Sequence, residues 1–220
     1  MFEFLQSGGP LMIPIGLCSV VGLAAFLERL WALRQWRVLP RSLRVAVMDL
    51  VRQGRFEDAL IACRQSESPW GRVAEAVLRG RGRARADVKE LAEEVGRREA
   101  AELERYSGIV GIVAAIAPLL GLLGTVWGMI LTFRVIEEGG IGQVGQLAGG
   151  ISTALVTTFA GLSVGIPALM AHRWLLARVD DLLLDMEEAA LELLDRVAAD
   201  PNPAASAASP PASPSAGSAE

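Results

Sequence analysis

The chain has 220 residues, 52% of them hydrophobic, a formal net charge of −4 and a mean hydropathy of +0.38. This hydropathy is high for a soluble domain, and the apolar residues are clustered in long runs. The chain lacks phosphate-binding-loop, HExxH and CxxC motifs, and its two cysteines, Cys18 and Cys63, lie in different environments. We therefore predict a protein that is not an enzyme and has no cofactor, metal site or disulfide.

Three stretches carry no charged residue: 7–27, 107–133 and 147–170. Each exceeds the roughly 18–20 residues that a helix needs to cross a hydrocarbon core. The sequence therefore predicts an all-α membrane protein with three transmembrane helices. The second and third of these are expected to extend into a cytoplasmic helical bundle.

In chain order, residues 1–9 are predicted to form a short periplasmic N-terminus, and residues 10–30 the first transmembrane helix. This helix should remain as an anchor, since neither a basic segment before it nor a small-residue cleavage site after it marks a signal peptide. Residues 31–106 are predicted to form a cytoplasmic helical region. Its apolar spacing indicates short helices over 41–54, 56–65 and 69–80.

From Asp87 onward the charges alternate without a proline or glycine cluster, so we expect one continuous helix over 87–133. The rest of the chain is divided by composition and charge. It comprises the second transmembrane helix (107–133), a periplasmic loop (134–146), the third transmembrane helix (147–171), a cytoplasmic helical extension (172–199) and a disordered tail rich in Pro, Ala and Ser (200–220).

The orientation follows from Arg and Lys residues near the ends of the apolar stretches. Eleven of them lie on the side that contains 28–106 and the C-terminal extension, whereas only Arg134 lies on the other side. Because cytoplasmic loops carry the excess of positive charge, we expect a periplasmic N-terminus and a cytoplasmic C-terminus. The basic segment 79–85 (RGRGRAR) is more simply explained by anionic lipid headgroups than by nucleic acid.

The second and third apolar stretches each carry threonines among small residues on one helical face. The face of the second is centred on Thr125 and that of the third on Thr158, with a separate hydroxyl pair at Thr153 and Thr157. The candidate lining residues are Thr125, Thr132, Thr153, Thr157 and Thr158, with Pro118, Gly121, Gly128, Gly161 and Gly165 on the packing or pore face. From the residues alone, two interpretations remain open: a polar pore, and close helix packing without a pore.

No Asp, Glu, Lys, Arg or His lies inside the three apolar stretches. Ionisable groups within membranes mark proton relays, so this chain by itself has no titratable relay. If protons pass along these faces, a different chain must supply the carboxylate.

The segments IAPLLGLLGTVWGMI and GGISTALVTTFAGLSVGIPALM resemble the paired signature of the MotA/TolQ/ExbB proton-channel family, on its TolQ/ExbB side. The resemblance covers about residues 8–195. It implies a bacterial inner-membrane homopentamer that encloses a dimer of a single-span ExbD/TolR-like protein, which supplies a membrane Asp. A TonB/TolA-like protein is a further implied partner, and the family's pore-lining threonines fall on Thr125 and Thr158.

One position departs from the family pattern. Where ExbB- and TolQ-type proteins often carry a Glu, five residues before the threonine of the third span, this chain has Thr153.

The resemblance as a whole predicts a subunit that converts proton-motive force into movement of its partner, for outer-membrane import, envelope maintenance or motility. The alternative function is a non-conducting membrane scaffold that recruits partners through its cytoplasmic helices.

Overall fold

The computed structural model describes residues 8–139 and 144–199, and within these ranges the regular secondary structure is entirely α-helical. The predicted N-terminal segment (residues 1–7 of it), residues 140–143 of the predicted loop and the predicted tail at 200–220 lie outside the described residues.

The predicted all-α membrane class is confirmed. The described helices are α1 (Met12–Ala32), α2 (Gln35–Val38), α3 (Arg41–Arg52), α4 (Phe56–Gln65), α5 (Pro69–Arg79), α6 (Arg85–Arg105), α7 (Ser107–Gly139) and α8 (Val144–Ala199). Three of them contain segments long and apolar enough to cross a membrane. These segments are Met12–Ala32, Ser107–Glu137 and a stretch within Leu147–Ala199.

The chain divides into two compact units. Of the described residues, the first unit contains 8–34, 100–139 and 144–181, and the second contains Gln35–Glu99 and 182–199. In the first unit α1 packs against α7, where Val113 fills the space above Gly22. Many large apolar side chains of this unit point outward, including Ile13, Leu17 and Phe159. Such an apolar exterior is typical of a surface that faces lipid or other membrane helices.

The second unit has its own apolar core. Helix α3 packs on α4 and α4 on α5, and Trp70 lies fully buried among them. Ser68 caps α5, because its hydroxyl accepts a hydrogen bond from the Gly71 amide at 3.1 Å, as an N-cap serine should. The last turns of α8 belong to this unit, and their Leu182 and Leu193 side chains are buried. Carboxylates of these turns bind side chains of three other helices. These pairs are Gln35–Asp185, Arg44–Glu192 and Arg85–Asp195.

Two helix boundaries differ from the sequence-based expectation. The predicted continuous helix over 87–133 is interrupted at Tyr106, where α6 ends and α7 begins one residue later. The Ser107–Gly108 pair is the local cause, since Gly and Ser pairs are among the common sites of helix kinks. Helix α7 also continues to Gly139, so much of the stretch expected to be the 134–146 loop is helical.

Candidate functional site on helices α7 and α8

Helices α7 and α8 run antiparallel and approach each other through small residues. A methyl group added to Gly161 would lie 2.6 Å from the Ala117 carbonyl oxygen, and one added to Gly128 would lie 2.7 Å from the Gly150 oxygen. Such distances leave no room for any side chain at these positions. The small-xxx-small pattern therefore serves close packing within one subunit, as this pattern commonly does between membrane helices.

Pro118 belongs to the same contact. Its ring occupies the space beside Gly165 on α8, where an added methyl group would overlap it. Proline inside a helix removes one backbone donor, and a neighbouring helix is what makes this tolerable in a membrane. Gly121, Gly128, Gly161, Gly165 and Pro118 thus form the packing surface of the α7–α8 pair.

Thr158 bridges the two helices. Its hydroxyl lies 3.2 Å from the Gly121 carbonyl oxygen of α7 and 3.1 Å from the Ala154 oxygen of its own helix. The side chain is half-buried, so part of it faces outward from the pair. Because the hydroxyl proton is directed at backbone carbonyls, the oxygen lone pairs remain as acceptors.

Thr125 lies on the same side of the pair as Thr158. Around its own helix, Thr125 lies about 40° from Gly121, and Thr158 lies about 60° from Gly161 in the same rotational sense. Because the two helices are antiparallel and these glycines face each other, both threonines lie on the same side of the pair. The Thr125 hydroxyl donates to the Leu122 carbonyl at 2.6 Å, and its side chain is half-buried. We call the surface that carries Thr125 and Thr158 the open face. Exposed apolar side chains surround them there: Leu122, Met129, Leu155 and Leu162.

The remaining three threonines lie elsewhere. Thr132 is buried and donates to Gly128, and Thr157 is fully buried and donates to the carbonyls of Thr153 and Ala154. Thr153 donates to the Gly149 carbonyl and lies near Gly9, about 80° from the contact line in the opposite sense to Thr158. The structure therefore brings two of the five predicted threonines onto one surface.

The sequence of α8 also contains the spacing GxSxG, at residues 161–165. In hydrolases this motif places a nucleophilic serine on a sharp turn between a strand and a helix. Here the five residues lie inside α8, and Gly161 and Gly165 are the packing glycines described above. Among the described residues, no group of His, Cys, Asp and Glu is arranged to hold a metal ion.

Sequence reasoning missed two features of this unit. Arg29, in the last turn of α1, is almost completely buried, and it contacts the end of α6 as well as the adjacent Glu28. His172 bonds the carbonyl of Ser107 at the start of α7. The one available signal was the Ser107–Gly108 pair, which marks a possible break in an otherwise helical pattern.

The chain is similar to proteins of one family along most of its length. The sequence model of the MotA/TolQ/ExbB proton channel family matches residues 65–188. The putative biopolymer transport protein ExbB-like 1 of Synechocystis sp. is 36% identical over 183 residues, covering 80% of this chain and 70% of that relative. A putative ExbB homolog of Methanothermobacter thermautotrophicus is 30% identical over 182 residues, with coverages of 82% and 64%. The Tol-Pal system protein TolQ of Haemophilus influenzae is 37% identical over 83 residues, with coverages of 38% and 36%.

Proposed function

This chain belongs to the MotA/TolQ/ExbB proton channel family, and we propose that it is the ring-forming subunit of a proton-driven motor in the bacterial inner membrane. The family is one of channels and transport proteins rather than of enzymes. In the proposed assembly, five copies surround a single-span ExbD/TolR-like partner. Proton flow along the ring moves this partner relative to the ring.

The observation that carries the proposal is the joint placement of Thr125 and Thr158 on the open face. Their hydroxyl protons are directed at backbone carbonyls, so their oxygens can accept a hydrogen bond from a protonated carboxyl group or a hydronium ion. Neither group can hold a proton itself. A titrating carboxylate, in this proposal an Asp of the partner helix, therefore passes along the open face and is stabilised there when protonated.

The absence of the family's frequent Glu fits this arrangement. Position 153 lies five residues before Thr158, which places the two side chains about 140° apart around α8. Within one subunit, a carboxylate at position 153 would therefore not share the open face. The partner's carboxylate carries the proton in this proposal.

We further propose that the process powered is biopolymer transport. Of the three relatives described above, the two whose names mention this process match 80% and 82% of the chain, whereas the TolQ match covers 38%. Both have only about two thirds of their length matched, so their activity enters here as a proposal. The charge asymmetry supports a periplasmic N-terminus and a cytoplasmic C-terminus. We also propose a TonB/TolA-like protein as a further partner.

The test is proton flux through the native complex, isolated through an affinity tag on this chain and reconstituted into liposomes that contain a pH-sensitive dye. A potassium diffusion potential drives proton entry. The variant Thr158→Val keeps the shape of the side chain and removes the acceptor. We expect about a tenfold or greater loss of flux, since a hydrogen bond to a charged group contributes about 1.5–3 kcal/mol.

The matched control is Thr153→Val, on the same helix and also half-buried but off the open face. It should keep flux within about twofold of the wild type. Wild-type flux in a correctly assembled Thr158→Val complex would contradict the channel function. Combined with intact partner binding, that result would instead support the non-conducting scaffold.

A further inference from the structure

The junction of α6 and α7 contains a helix break that no proline explains. Helix α6 ends at Arg105 and α7 begins at Ser107, and Tyr106 between them lies in a turn. The Ile109 amide bonds the Tyr106 carbonyl at 3.3 Å, so α7 starts with a tight i→i+3 turn. Because α6 ends here, the carbonyl of Leu103 is among the last four of the helix, which lack an amide partner within it.

Arg29 of α1 takes the place of the missing donor. Its Nη1 lies 3.4 Å from the Leu103 oxygen, and its guanidinium carbon lies 4.8 Å from the centre of the Tyr106 ring. The same guanidinium group forms two bonds to the Glu28 carboxylate, at 2.7 and 2.8 Å. Only 6% of Arg29 is exposed. A positive charge at the C-terminus of a helix also interacts favourably with the helix dipole, so Arg29 stabilises the broken end of α6.

A second side chain holds the other side of the break. His172 of α8 has its Nδ1 atom 3.0 Å from the Ser107 carbonyl oxygen. Since a carbonyl only accepts, Nδ1 is the donor in this bond. A methyl group on Gly111 would lie 2.9 Å from the imidazole ring, so this glycine provides the space that the ring occupies.

The hydroxyl group of Ser107 is unsatisfied. Its side chain is fully buried, and its hydroxyl has no hydrogen-bond partner among the described residues. In a continuous helix the Ser107 amide would bond the Leu103 carbonyl, and its hydroxyl could bond the same oxygen. The oxygen of Leu103 therefore has two competing sets of donors. Arg29 occupies it in the broken helix, and Ser107 would occupy it in a straight one.

We propose that the α6–α7 junction is a two-state hinge, in which Arg29 and Ser107 compete for the carbonyl of Leu103. The broken state is the one in the structure, with Arg29 bound and the Ser107 hydroxyl unsatisfied. In the straight state Ser107 bonds Leu103, Arg29 is released and α6 continues directly into α7. The hinge changes the direction of the last residues of α6 (100–105) relative to α7, and it stands whether or not the complex conducts protons.

The test measures the distance across the junction by electron spin resonance. Spin labels are placed at Glu102→Cys and Leu119→Cys, both exposed positions, in a Cys18→Ser/Cys63→Ser background of the native complex in lipid. Labelled chains are diluted with unlabelled ones so that only distances within one chain contribute. A straight helix places these two Cα atoms about 26 Å apart, and a bend at the broken junction would shorten this distance.

Two variants should move the equilibrium in opposite directions. Arg29→Gln removes the ligand of the Leu103 carbonyl and should shift the population towards the straight distance. Ser107→Pro removes the competing amide and places proline at the first position of α7, where it is tolerated, so the distribution should collapse to the shorter distance. Glu28→Gln retains the Arg29 donor and should keep the wild-type distribution.

The distance distributions of the wild type and of Ser107→Pro decide between a two-state hinge and a fixed break. Ser107→Pro decides the question by itself even where replacement of the buried Arg29 prevents assembly. A wild-type distribution that contains the straight distance, and loses it in Ser107→Pro, supports the hinge. A wild-type distribution that Ser107→Pro leaves unchanged contradicts it.

Discussion

The hydroxyl group of Thr158 on α8 donates to the backbone carbonyl of Gly121 on α7, at 3.2 Å. This bond is possible only because Gly121 and Gly161 let the two helices approach closely. The packing glycines and the hydroxyl groups are therefore parts of one arrangement. In the proposed channel, the packing interpretation and the pore interpretation of this sequence describe different sides of the same helix pair.

The glycine contact leads to a stability prediction. Gly161→Ala should lower the stability of the complex by about 1–3 kcal/mol, because the new methyl group would lie 2.6 Å from a backbone oxygen that cannot move away easily. The control is Gly149→Ala on the same helix, where nothing lies within 4 Å. It should be neutral or stabilising by up to about 1 kcal/mol. Thermal unfolding in detergent measures both, and equal melting temperatures would contradict the close contact.

The lack of a titratable group in the spans predicts that this chain alone conducts few protons. Liposomes that contain it without its partner should show a flux close to that of empty liposomes, since threonine hydroxyls cannot hold a proton. Restoring the single-span partner should increase the flux. Strong proton entry through partner-free liposomes would mean that the carboxylate is not needed.

The proposed ring predicts a defined stoichiometry. Native mass spectrometry of the complex should give five copies of this chain, in a detergent chosen because it preserves such membrane complexes. Gly161→Ala should reduce the proportion of complete rings, because it disturbs the packing of α7 against α8 within each subunit. Only monomers or dimers of the wild type under these conditions would contradict the pentamer.

Cys63 should be chemically unreactive in the folded protein. Burial raises the pKa of its thiol to about 12, and the nearby Glu75 carboxylate adds to the shift. In the Cys18→Ser variant, iodoacetamide at pH 8 should therefore label Cys63 at least about 100-fold more slowly than after denaturation, since the thiolate is the reactive form. Equal labelling rates would contradict the buried site.

The same raised pKa gives the sign of the pH dependence. The unfolded thiol ionises near pH 8.5, so the contribution of Cys63 to stability is complete below that pH. It decreases between about pH 8.5 and pH 12 as the unfolded state loses its proton first. Cys63→Ala should flatten this part of the stability profile.

The pairing of Arg72 with Glu99 should stabilise the contact of α5 with α6. The Glu99 side chain is nearly buried and accepts two hydrogen bonds from the guanidinium group. Arg72→Ala should lower stability by about 1–3 kcal/mol, because a mostly buried carboxylate loses its charged partner. The control is Arg98→Ala, which breaks the exposed Arg98–Glu94 pair on α6 and should cost at most about 0.5 kcal/mol. Similar melting temperatures for the two variants would contradict this difference.

The sequence predicted the class, the three apolar helices and the short helices of the second unit. Charge-free runs longer than a bilayer crossing have few alternatives, and Ser68-Pro69 and Gly54 are strong local boundary signals. It also placed Thr125 and Thr158 on candidate faces, because helical periodicity is a local property. Periodicity around one helix gives no information on which neighbour each side of it meets.

The tertiary structure decided where each threonine lies relative to the contact of α7 with α8. It placed Thr132 and Thr157 inside the α7–α8 contact, Thr153 on the opposite side and only Thr125 and Thr158 on the open face. It also broke the helix at Tyr106, beside the Ser107–Gly108 pair, where Arg29 bonds the Leu103 carbonyl and His172 bonds the Ser107 carbonyl from positions distant in sequence. The sequence by itself thus determined which segments are apolar and helical, since chain composition controls transfer into a membrane. Which hydroxyl, carbonyl and guanidinium groups meet depends on the packing of segments far apart in the chain, and only the folded arrangement specifies that.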